Sequence, residues 1–134
     1  MRRTYFIAIL IACAAVGCAT SYHHDPSLPS AQLKTAPFVR GTLCDGAGRL
    51  DPGPDGFAVI PAGRLLHLAA YLSERRGYCS TGVRFTPEAG KRYEYVVDAT
   101  DEQCVGTLVE EDKEALIGIR AVARAMPAPG ACQE

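Results

Sequence analysis

The chain has 134 residues, 48% of them hydrophobic and 22% charged, with a formal net charge of −1, which suits one ordinary globular domain. Its 14 basic residues face 15 acidic ones, so it lacks the electrostatic footprint of a nucleic-acid partner. Six cysteines in so short a chain direct attention to its compartment and its crosslinks.

Arg2 and Arg3 open the chain, and an uncharged apolar run from Tyr5 to Val16 follows. That run is too short for a mature membrane span, which needs about 20 residues. A positive start, an apolar middle and the small residues Gly17, Cys18 and Ala19 come in the order of a secretory signal. Residues 1–17 are therefore expected to be a signal peptide.

The quartet Ala15-Val16-Gly17-Cys18 resembles the lipobox of bacterial lipoprotein precursors. The resemblance implies cleavage just before Cys18, acylation of its thiol with palmitate-like chains, and the lipid bilayer as a partner. A small residue before the cysteine lets the peptide bond enter the protease, and Gly17 meets that need. Ala15 stands where leucine is usual, which keeps cleavage after Ala19, and a soluble periplasmic product, as the alternative. Acyl chains on Cys18 would hold firmly, since each buried methylene contributes about 0.8 kcal/mol. Ala19 in place of an aspartate resembles outer-membrane sorting. The expected location is the cell envelope, on the outer membrane and facing the periplasm.

Cleavage before Cys18 removes two of the 14 basic residues and none of the 15 acidic ones, leaving a net charge of −3. The body keeps Cys44, Cys79, Cys104 and Cys132, an even set that reads as disulfides in an exported chain. Three pairings are open to four cysteines. No two of them form a CxxC pair, which argues against a metal site, and no cofactor is indicated.

Residues 18–37 read as a lipidated N-terminus and flexible tether, rich in Ser and Pro, which would lift a domain off the lipid. His23-His24-Asp25 lies inside it and reads as solvated linker rather than metal site, because a flexible segment preorganises no ligand geometry. Residues 38–134 form the expected domain. Phe38 to Cys44 suits a first strand, and the Gly, Pro and Asp residues from Asp45 to Gly56 mark a loop. The aspartates there do not have the spacing of a calcium-binding EF-hand loop. Phe57 to Ile60 and Leu65 to Leu72 read as two strands joined by a Pro61-Ala62-Gly63 hairpin turn.

Tyr78 to Thr86 reads as a strand with Val83 and Phe85 on one face, and Pro87 to Gly90 as a turn. Tyr93, Tyr95 and Val97 then alternate with Arg92, Glu94 and Val96, the period of a half-buried strand. Cys104 to Val109 completes an expected three-stranded meander. In a flat meander, Cys79 and Cys104 would stand about two strand spacings apart. A bridge between them therefore needs curled strand ends, or outer strands in different sheets. That pair is favoured because its complement, Cys44 with Cys132, ties the two ends of the domain together. Glu110-Glu111-Asp112-Lys113-Glu114 reads as a solvated acidic turn. Leu116, Ile119, Ala123 and Met126 fit a short C-terminal helix, while Ile117, Ile119, Ala121 and Ala123 fit a strand equally well.

Taken together, the lipobox, the Ile60-Pro61-Ala62-Gly63 turn and the Phe85-x-Pro87-x-x-Gly90-x-x-Tyr93 stretch with Cys104 beyond it resemble a diffuse set of small Gram-negative envelope lipoproteins of unassigned activity. The resemblance covers roughly residues 57–109. It implies an all-β fold, a small disulfide-linked antiparallel β-sandwich of immunoglobulin-like or transthyretin-like type, and carries over no catalytic residue. The expected function is a membrane-anchored, non-enzymatic module that binds an envelope protein or cell-wall component, or fills a structural role. An inhibitor of hydrolases is the alternative. For an enzyme the inventory is thin: His67 sits in an apolar run, and Arg75-Arg76 and Lys91-Arg92 are basic pairs at turns.

Overall fold

The computed structural model describes residues 20–45, 48–74, 77–100, 103–125 and 132. The signal segment, Cys18, Arg75-Arg76 and residues 126–131 lie outside them. Nine strands occur among the described residues, and no helix does: β1 (Ser30–Thr35), β2 (Val39–Leu43), β3 (Gly48–Arg49), β4 (Phe57–Pro61), β5 (Leu66–Glu74), β6 (Gly77–Phe85), β7 (Arg92–Ala99), β8 (Cys104–Glu111) and β9 (Ile119–Ala125). They form two sheets, ordered β4-β1-β7-β8-β9 and β3-β2-β5-β6. The result is the all-β, disulfide-linked sandwich that the alternating patterns and cysteine count imply.

The inner faces carry the period-2 apolar sets. Ala31, Leu33, Ala58, Ile60, Tyr93, Tyr95 and Leu108 come from one sheet; Val39, Leu43, Leu66, Leu68, Leu72, Val83 and Phe85 come from the other. Each Val, Leu, Ile or Phe among them contributes roughly 1.5–3 kcal/mol on full burial. Phe85 meets Tyr93 edge-on with ring centroids 5.4 Å apart, joining the two sheets.

Several expectations change. The segment read as tether contributes β1, whose Ala31 and Leu33 are core residues and which pairs with β4 on one side and β7 on the other. The β1–β7 pairing is parallel, the one departure from an antiparallel sandwich among the strand pairs. Packing starts earlier still, because Arg49 N donates to the Thr20 carbonyl at 2.9 Å and Tyr22 N donates to the Arg49 carbonyl at 2.8 Å. Arg49 and Gly48 make a two-residue strand inside the expected loop, with Gly48 in the left-handed region at φ 99°. Its backbone lies so close to Thr20 that a side chain there would strike the Thr20 carbonyl.

Pro61-Ala62-Gly63 is not a hairpin turn. β4 pairs with β1 whereas β5 pairs with β2 and β6, so the turn carries the chain from one sheet to the other. Gly63 does take the positive φ expected of it, 78°. The meander is likewise split: β7 and β8 form a hairpin, but β6 belongs to the opposite sheet. At the C-terminus the strand pattern wins over the helix, and β9 pairs with β8 around a bulge at Leu108/Val109. Gly118 at φ 76° ends the preceding turn, a conformation that no helix interior accepts.

The registers define two ends of the sandwich. At one end β2, β4, β6 and β8 finish and β1, β5, β7 and β9 begin, and the 62–65, 86–91 and 112–118 connections gather there. The other end carries the 36–38 link, where β5 and β7 finish and β6 and β8 begin. Cys44–Cys132 crosslinks the first end, with Cα atoms 5.0 Å apart. Cys79–Cys104 crosslinks the second, with Cα atoms 5.8 Å apart, between strands of different sheets. The split meander is what brings this pair within bonding distance.

Tyr95 is fully buried and its hydroxyl meets Thr81 Oγ1 at 2.9 Å. Burial pushes its phenol above the ordinary value of 10.0, with the Thr81 bond acting in the opposite sense. An unfolded tyrosine ionises near pH 10 while this folded one stays neutral. The stability it contributes is therefore complete below about pH 10 and drains as the pH rises through its higher folded value. Tyr95→Phe is expected to flatten the alkaline limb of stability, while costing roughly 1 kcal/mol at neutral pH through the lost Thr81 bond. Urea unfolding at about pH 7 and about pH 11 checks both parts.

Candidate functional site

His24 is not solvated linker: the Tyr22 hydroxyl meets its Nδ1 at 2.8 Å, and its Nε2 meets the Leu28 carbonyl at 3.1 Å. Both ring nitrogens are engaged, so neither is presented to a metal. Asp25 closes a local turn, accepting Ser27 N at 2.9 Å and Ser27 Oγ at 2.8 Å, and these bonds lower its carboxyl below the usual value. His67 is half-buried on β5 opposite Arg84 on β6. It lines a concavity of about 240 Å³ with Cys44, Asp45, Leu65, Arg84 and Cys132. The Cys44–Cys132 bridge forms part of that wall, so the thiols are committed to each other. Among the described residues no group of three His, Cys, Asp or Glu side chains is placed to hold a metal ion.

A larger open groove of about 540 Å³ is lined by residues between Tyr22 and Ser30, by the stretch that follows β3, and by β4. Tyr22, His23, His24, Leu50, Asp51 and Phe57 are among its lining residues. The Ser21 hydroxyl bonds Asp51, and Arg49 Nε meets it at 3.1 Å; together they lower its carboxyl below the usual range. Beneath the groove the Arg92 guanidinium lies 3.9 Å from the Phe57 ring centroid, with Lys34 on the same ring at 5.8 Å. Both cations lie within reach of the electron-rich ring, which attracts them. The groove offers hydrogen-bonding groups and an aromatic edge.

Sequence reasoning missed this groove. Tyr22 sat in the presumed tether and Leu50 in the presumed loop, where a lone leucine among Gly, Pro and Asp was the available signal. The acidic run also resolves differently from a solvated turn. Glu110 is only 4% exposed, and Arg120 Nε donates to its Oε1 at 2.9 Å while Lys91 Nζ approaches at 3.5 Å. The carboxylate ties β8 to β9 and to the start of β7, and loss of either cation would leave it under-compensated. Lys91-Arg92, read as a basic pair at a turn, is thereby divided between Glu110 and Phe57.

Comparison with family models, curated proteins and solved structures found no match for this chain. Among the described residues no helix is long and apolar enough to cross a membrane.

Proposed function

We propose that the protein is a lipid-anchored component of the bacterial cell envelope, whose folded part is a non-enzymatic binding or structural module. The observation that carries this reading is the small-residue quartet ending in Cys18, placed directly ahead of a sandwich crosslinked at both ends. Disulfides persist in exported proteins and rarely in a reducing cytosol, so the bridges support the exported destination that Arg2, Arg3 and the apolar run suggest. The module reading is supported by what the reactive side chains do. His24 is spent on local bonds, the body cysteines are spent on bridges, and the groove beside Tyr22 and Phe57 offers a contact surface.

Growth with labelled palmitate tests the anchor. The wild-type chain is expected to take up label and fractionate with membranes, preferentially the outer membrane. Cys18→Ala is expected to lose the label and the membrane fraction together. Label-free wild-type protein recovered in the periplasm would instead favour cleavage after Ala19 and a soluble product.

A further inference from the structure

We propose that the folded domain rests directly on the bilayer, with the Cys44–Cys132 end facing the lipid and the tips of the 62–65 and 112–118 connections seated among the headgroups. This rests on acylation of Cys18. Two residue steps separate Cys18 from Thr20, about 7 Å at full extension. Thr20 is already fixed to the sandwich, because its carbonyl accepts from Arg49 N and its backbone abuts Gly48, which pairs with Leu43, the last residue of β2. The anchor point is therefore at the end where β2, β4, β6 and β8 finish. No slack remains to hold that end away from the membrane.

The same end displays apolar side chains that the core does not use. Leu116 is 102% exposed and Ile117 76%, at the tip of the β8–β9 connection, and Leu65 is 62% exposed just before β5. The tip is a closed structure. Asp112 N donates to the Gly118 carbonyl at 2.9 Å, Gly118 N to the Ala115 carbonyl at 3.0 Å, and Glu114 N to Asp112 Oδ1 at 2.9 Å. It presents Leu116 and Ile117 on a preformed hairpin, so little ordering is needed on contact. Arg64 beside Leu65 and Lys113 beside the hairpin tip can keep their charges at headgroup level while the apolar neighbours go deeper. Part of the acidic charge here is already engaged, Glu111 with Arg92 at 3.4 Å and Glu110 with Lys91 and Arg120. Lys113 stands between Asp112 and Glu114, so the attraction here is that of the apolar tips themselves, which suit a bilayer surface into which such residues bury by about 5–10 Å.

The chain contains no tryptophan, so a single introduced indole reports on its own position. Leu116→Trp, Leu65→Trp and, at the opposite end, Phe38→Trp are placed one at a time in the full chain with its leader. The purified products are reconstituted into phosphatidylcholine–phosphatidylglycerol vesicles containing brominated lipid. All three sites are well exposed, and unchanged melting confirms folding. Emission from Leu116→Trp and Leu65→Trp is expected to shift to the blue and to be quenched about twofold or more over Phe38→Trp. Equal quenching at both ends, in protein whose mass confirms acylation of Cys18, would overturn the orientation and leave the anchor standing. Unacylated protein that stays free of the vesicles would bring down the anchor and the orientation together.

Discussion

Replacing Cys44 and Cys132 together by serine is expected to lower stability by about 4 kcal/mol at 25 °C, with Cys79–Cys104 left intact. The bridge spans 88 residues of sequence, so the unfolded chain without it regains a large share of loop entropy. The inner bridge spans 25 residues, and its loss alone should cost less, about 3.5 kcal/mol. Because the inner loop lies within the outer one, the two losses will not simply add. A domain this small buries a modest core, and single domains carry only about 5–15 kcal/mol of net stability. Removing both bridges should therefore leave little folded protein at 37 °C. Urea midpoints for the wild type and the two serine pairs measure this directly. A Cys44→Ser/Cys132→Ser protein as stable as wild type would show that the closure contributes nothing.

Gly106→Ala is expected to cost about 3 kcal/mol, the upper range for forcing an extra methyl into a filled core. Gly106 sits in the interior of β8, facing Tyr95 on the inner side of the sandwich. A Cβ at this position would overlap the Tyr95 hydroxyl and come within 2.8 Å of Thr81 Oγ1. The phenol cannot swing aside, because Tyr95 is fully buried and held by Thr81 at 2.9 Å. The methyl must therefore displace the ring and break its hydrogen bond. Tyr95→Phe removes the oxygen that blocks the site, so the Gly106→Ala/Tyr95→Phe double variant should lose less than the sum of the single changes. Thermal melts of the four proteins complete the cycle. Strict additivity would mean that Gly106 is not there to admit the tyrosine hydroxyl.

Local patterning made the strands legible. Val83 with Phe85, and Tyr93 with Tyr95, point inward as their alternation requires, and the cysteines pair as Cys79–Cys104 and Cys44–Cys132. Partnership between strands was less visible. Pro61-Ala62-Gly63 has the turn chemistry of a hairpin, but turn chemistry fixes local dihedrals and not the sheet that the next strand joins. β1 was hidden by its surroundings. Ala31 and Leu33 do alternate with Gln32 and Lys34, but the proline and serine on either side dominate the segment. Glu110 looks like any member of an acidic run, and its burial depends on Lys91 and Arg120 arriving from other strands. The groove fails for the same reason, since Tyr22, Leu50 and Phe57 meet only when the sandwich closes. Glycine inside a strand does signal a close approach, so Gly106 was detectable as a special position, though Tyr95 as the reason was not.

The most direct test of the account is the intact mass of the mature protein isolated from its host, recorded before and after reduction. The mature polypeptide is expected to begin at Cys18, to carry acyl chains, and to gain two hydrogens for each of two bridges on reduction. A polypeptide that begins at Met1 without lipid, and whose mass does not change on reduction, would contradict it.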